Sequence, residues 1–196
     1  MELKPLSLND ILNKSLKEKI GYIENDLSRI INKNQRGDYD NYRPLIEVHK
    51  RIFNHYDERP MGELSEVKSA VNHGKGRAII LGEFADVYYC AANLDSRLLL
   101  GKDSLSEKIF SAGKSAGFSK ELIVDGCIIK YTSRANGRKA PSHELSALED
   151  HLGMGGYRLS RMQKRRAIKA IAKIEILKEF YMSLIARTQE TAGVTG

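Results

Sequence analysis

Leu122-Ile123-Val124-Asp125-Gly126-Cys127-Ile128-Ile129 is the stretch on which the fold class turns. Two apolar, β-branched runs flank an Asp-Gly pair, which supplies the positive φ angles that a tight two-residue turn needs. This pattern predicts a β-hairpin. Asn136-Gly137, after Lys130-Tyr131-Thr132, predicts a second turn of the same kind. Upstream, Arg77-Ala78-Ile79-Ile80-Leu81 is apolar and β-branched and predicts a buried strand. Between them, Phe84 to Leu100 pulls both ways. Val87-Tyr88-Tyr89-Cys90 suits a strand, whereas Ala85, Ala91, Ala92 and Leu98 to Leu100 suit a helix. Periodicity does not decide it. The expectation is a small antiparallel or mixed sheet from residues near 77 to 132.

Helices are expected on both sides of that sheet. Leu12, Leu16, Ile20, Ile23, Leu27 and Ile30 recur at spacings of three and four, which places them on one stripe of a long first helix capped by Ser7 or Asn9. The stripe suits packing within the chain, and its near-heptad spacing also suits a homodimer contact. The polar run Asn32 to Asp38 ends it. Pro44 opens a second helix that Pro60 closes, and a short third one runs from about Glu63 to Asn72. Asp103-Ser104 caps a helix to about Ala116, stopped by Gly117. Pro141-Ser142 starts another, broken by Gly153, Gly155 and Gly156. The last helix runs from about Leu159 to Thr188. The fold class predicted is α+β, predominantly helical, with a small central sheet and a long amphipathic C-terminal helix. The predicted organisation is a helical region over 1–73, a mixed α/β region over 74–190 and a flexible tail over 191–196, with a single domain as the alternative.

The chain has 196 residues, enough for a sizeable core, and its 41% hydrophobic and 29% charged composition is that of a globular protein. Trp is absent, so the core leans on Leu, Ile, Val and Ala. Cys90 and Cys127 each sit among apolar residues and read as buried thiols of a reducing compartment. There is no Cys-x-x-Cys spacing, no apolar run of membrane-spanning length, and no signal-peptide core in the first 15 residues. A cytoplasmic location follows as an expectation.

The formal net charge is +7, and its distribution is uneven. Arg158, Arg161, Lys164, Arg165, Arg166, Lys169 and Lys173 lie between Met154 and Lys173 with no Asp or Glu among them. That segment alone equals the whole net charge. At about 100° per residue, Arg158, Arg161, Arg165, Lys169 and Lys173 share one broad helix face. Ala167, Ala170, Ile171, Ile174, Leu177 and Tyr181 gather opposite. Like charges so close repel, and a phosphate backbone relieves that while releasing counterions. Arg134, Arg138 and Lys139 flank the Asn136-Gly137 turn as a basic hairpin tip, a layout compatible with a winged helix-turn-helix.

Other motifs carry less. Gly153-Met154-Gly155-Gly156 lacks the Gly-Lys-Ser/Thr of a phosphate loop, and Gly74-Lys75-Gly76-Arg77 is as weak. His49, His55, His73, His143 and His151 form no metal-ligand set, and the Ser-x-x-Lys matches at Ser65 and Ser111 are nearly meaningless in a chain rich in both residues. No acid, base and nucleophile assemble from the sequence, and no cofactor or metal is expected. The expected function is non-enzymatic nucleic-acid binding, DNA favoured over RNA, by a regulator or accessory factor. The alternatives are a protein-interaction or assembly factor acting through its amphipathic helices, and an enzyme whose site is dispersed over the fold.

Overall fold

The computed structural model describes residues 8–25, 59–98, 104–135, 141–151 and 158–193. These form helices α1 (Leu8–Leu12), α2 (16–25), α3 (Arg59–Asn72), α4 (Arg77–Leu98), α5 (Leu105–Ser115), α6 (Lys120–Ala135), α7 (Pro141–His151) and α8 (Arg161–Gly193). Among the described residues there is no strand. The α+β expectation is therefore corrected to an all-helical bundle.

The error has a physical cause. Helix α4 packs against α3, α5, α6 and α7 at once. Between Ile80 and Asp95 every residue except half-buried Glu83 is buried. From Leu122 to Tyr131 helix α6 is likewise buried throughout. A helix covered on all sides has no polar face, so its sequence loses the 3.6-residue period and reads as a continuous apolar run. Arg77-Ala78-Ile79-Ile80-Leu81 is thus the first turn of α4, and Phe84 to Leu98 continues it. Leu122 to Ile129 is the middle of α6, and Lys130 to Thr132 lies in the same helix.

Asp125-Gly126 makes no turn. Among the described glycines only Gly74 and Gly117 have positive φ. Gly126 serves close packing instead: a Cβ added there would stand 3.3 Å from Leu145 Cδ2 and 3.4 Å from Leu81 Cγ. Asp125 faces inward and pairs with Lys19 (Nζ–Oδ1 2.8 Å), tying α2 to α6.

Two further buried ion pairs bind the bundle. Arg77, the first residue of α4, reaches Glu149 of α7 at 2.9 Å, donates to the Gly117 carbonyl at 2.9 Å and lies over the Phe118 ring. Lys130 of α6 pairs with Asp86 and donates to the Gly82 carbonyl of α4 at 2.9 Å. Around them one hydrophobic core runs from Ile11 to Ile174. Tyr88 stacks on Phe110 with centroids 4.7 Å apart, and Phe84 meets Phe118 at 5.7 Å. Cys90 and Cys127 are both buried in this core.

Helix boundaries follow from side-chain caps. The predicted first helix is two helices, because Ser15 and Glu18 form a capping box. The Ser15 amide donates to Glu18 Oε2 at 2.7 Å, and the Glu18 amide donates back to Ser15 Oγ at 3.4 Å. The chain restarts there. Leu12, Leu16 and Ile20 pack half-buried on the core, and Ile23 is buried. Leu27 and Ile30 lie outside the described residues, as does the predicted helix from Pro44. Pro60 sits in the first turn of α3, where a missing amide costs least. Helix α5 starts as expected at Ser104, whose Oγ accepts from the Glu107 amide at 3.3 Å. Asp95 of α4 adds a second cap, accepting from the Leu105 and Ser106 amides at 2.7 and 2.9 Å.

Candidate functional site

Helix α8 carries the cationic segment. Ser160 and Gln163 form the capping box that starts it: the Ser160 amide donates to Gln163 Oε1 at 2.8 Å, and the Gln163 amide to Ser160 Oγ at 3.2 Å. Leu159, Ala167, Ile171 and Ile174 are buried, with Ala170 half-buried, so this side anchors the helix against α3 and α5. Burying an Ile side chain contributes about 1.5–3 kcal/mol. The side chains of Leu177 and Tyr181 lie outside the described residues.

The opposite side is open. Arg158, Arg161, Arg165, Arg166, Lys169 and Lys173 are exposed, and Lys164 is half-buried. None of the seven forms an ion pair with another described residue. Glu175, the first acid along α8, pairs with Lys68 of α3 at 3.7 Å. Lys164 lies across the α3–α4 turn, where a Cβ added to Gly74 would stand 3.1 Å from its Nζ. Exposed Lys75 follows in that turn and widens the positive surface. Among the described side chains of α8, two large apolar ones stand exposed: Met162 at 58% and Ile176 at 71%.

The basic hairpin tip does not survive. Arg134 belongs to the last turn of α6, so no wing strand leads into it. The Arg134 side chain, Arg138, Lys139 and the Asn136-Gly137 turn lie outside the described residues. The winged-helix layout goes with the missing strands. The Gly153–Gly156 stretch also lies outside.

A group of buried charges escaped the sequence analysis. Glu63 of α3 and Glu83 and Asp86 of α4 bring carboxylate oxygens within 4.8 Å of one another, beside Lys130 of α6. Hard cations take such oxygen ligands, but the Lys130 ammonium already balances Asp86. Burial pushes the Glu83 carboxyl up from 4.5 to about 7. Lys130 opposes this, while Asp86, Glu66 and Glu63 add to it. The folded state therefore holds a proton on Glu83 that the unfolded chain has already released between pH 4.5 and about 7. Stability must fall as pH rises through that window. Burial also raises Asp125 and Glu149, and these act with the same sign. Urea midpoints should decline from pH 5 to pH 8, and Glu83→Gln should flatten the part of the decline nearest pH 7. A wild-type profile that rises over this range would contradict the account.

A cleft of about 560 Å³ opens at the α5–α6 corner, walled by Phe110 and Phe118 and edged by Lys114 and Lys120. Lys120 is held by Glu107 at 2.6 Å. The Glu63–Glu83–Asp86–Lys130 group does not line this cleft. Among the described residues, this cleft and the Glu63–Glu83–Asp86–Lys130 group are thus separate. No helix among the described residues is long and apolar enough to cross a membrane.

Comparison with known protein families, with characterised proteins and with solved structures gives no significant match.

Proposed function

We propose that this protein binds nucleic acid, with duplex DNA preferred, through the exposed cationic face of α8, as a non-enzymatic regulatory or accessory factor. One observation carries this reading. Five exposed cations and one half-buried lysine occupy the start of a helix anchored on its other side, with exposed Arg158 just before it, no acid among them and no ion-pair partner among the described residues. Such a face holds its charges at fixed spacing without internal relief, and a phosphate backbone supplies that relief. The face has no aromatic residue between Arg158 and Ile176. It therefore offers no platform for stacking the bases of a single strand.

Exposed Met162 and Ile176 favour a second reading, in which an acidic protein covers the same face. The described part of the N-terminal stripe is already occupied by the chain's own core.

Charge substitution tests the proposal. Arg161→Gln with Lys173→Gln should weaken binding to duplex DNA about tenfold or more, measured by fluorescence anisotropy, since each phosphate contact contributes to affinity. Folding should change by no more than about 0.5 kcal/mol, because both residues are exposed. The control is Lys14→Gln with Lys17→Gln, which removes the same charge from α2 and the turn before it. Lys19 is unsuitable as a control because it is buried against Asp125. Equal losses from both pairs would reduce the effect to bulk charge and defeat the proposal.

A further inference from the structure

The exposed side of α8 is not uniform, and its pattern matches the cross-section of a DNA groove. The buried residues Ile174, Ala167 and Ile171 define one side of the helix. At about 100° per residue, the line directly opposite them passes among Arg165, Ile176, Lys169 and Met162, each within about 30° of it. Arg161 falls about 70° to one side of this crest. Lys173 and Arg166 fall about 50° and 70° to the other. Among the described side chains of α8, the large apolar ones left in solvent, Met162 and Ile176, are thus both on the crest, at 58% and 71% exposure. The flanks carry Arg161 on one side, with exposed Ala172 beside it and exposed Glu179 further along, and Arg166 and Lys173 on the other.

We infer that α8 enters the DNA major groove crest first, with Met162, Arg165 and Lys169 meeting base edges and Arg161, Arg166 and Lys173 meeting the two phosphate walls. This rests on the nucleic-acid reading above. The major groove, about 12 Å wide, admits an α-helix, and its floor differs between base pairs. An arginine at the centre of the inserted face can pair bidentately with guanine O6 and N7. A flexible apolar side chain beside it suits the thymine methyl group. From Met162 to Lys169 the helix advances about 10 Å, at 1.5 Å per residue. That spans about three base pairs at the 3.4 Å spacing of one strand. These residues lie in the first turns of α8, the part of a recognition helix that meets bases. The capping box at Ser160 and Gln163 keeps those turns ordered. Duplex RNA does not fit this geometry, because side chains cannot read its deep, narrow major groove.

The test selects duplexes from a random pool with the full chain, then compares the enriched site with a scrambled duplex of equal length. Arg165→Ala should lose about tenfold or more on the enriched site and little on the scrambled one, collapsing the preference. Met162→Ala should relax the preference at an adjacent A·T position. Arg166→Gln, on the flank, should weaken both duplexes by the same factor. Circular dichroism should be unchanged for all three. A pool with no enriched sequence, or an Arg165→Ala variant that weakens both duplexes equally, would overturn base reading and leave electrostatic binding standing. Binding to duplex RNA as tight as to duplex DNA would overturn groove entry. An absence of any duplex binding by the wild type would instead defeat the underlying nucleic-acid reading.

Discussion

Asp125→Ala should destabilise the protein by about 3–5 kcal/mol, the cost of leaving one member of a buried ion pair alone. Asp125 and Lys19 are 1% and 5% exposed, and Lys19 Nζ lies 2.8 and 3.1 Å from the two carboxylate oxygens. Once the carboxylate is gone, the ammonium must stay charged in an apolar site, lose its proton, or pull α2 away from α6. Total stability for a domain is about 5–15 kcal/mol, so the loss is a large share of it. Burial outweighs the attraction of Lys19 and holds the Asp125 carboxyl above its ordinary range. An apolar pair, Lys19→Met with Asp125→Leu, should therefore recover most of the loss. Urea unfolding of the wild type, Asp125→Ala and the double variant checks both statements. A single variant within 1 kcal/mol of wild type would show that the bridge does not form in solution.

The sequence reveals helices at the surface better than helices in the interior. The helix from Leu105 to Ser115 could be read because it is amphipathic and has a serine cap and a glycine stop at Gly117. The start of α7 at Pro141 was legible for the same kind of reason. The start of α4 and the middle of α6 read as strands from the sequence, and the rest of α4 reads either way, because burial on every side erases the periodic signal. One clue survived in each: Glu83, Asp86, Asp125 and Lys130 interrupt the apolar runs. In a helix those charges can point toward neighbouring helices, where Asp86, Asp125 and Lys130 find partners. The break near Ser15 was also present in the sequence as Ser-x-x-Glu, but the regular stripe masked it.

The cationic face was legible for a simpler reason. Charge density and the absence of acids survive without knowledge of the fold, and the apolar residues on the opposite side supply the anchor. What the sequence could not rank was the prominence of each cation. Helical periodicity puts Arg161 and Arg165 on one broad face, and the burial of Ala167, Ile171 and Ile174 against the bundle then fixes which of them lies nearer the crest. The buried Glu63–Glu83–Asp86–Lys130 group joins three helices. No local spacing could have gathered it.

Salt dependence tests the central claim most directly. If Arg161, Arg166 and Lys173 meet phosphates, the logarithm of the binding constant should fall against the logarithm of salt with a slope near −3. Affinity for duplex DNA should then drop about fortyfold between 50 and 200 mM salt. Removing Arg161 and Lys173 together should make the slope shallower by about 2, whereas removing Lys14 and Lys17 should leave it unchanged. Anisotropy titrations of one labelled duplex across that salt range measure all three slopes. A slope near −3 that falls only with the α8 substitutions is the predicted result. A wild-type slope shallower than about −1, or one that responds equally to both pairs, would contradict binding through α8.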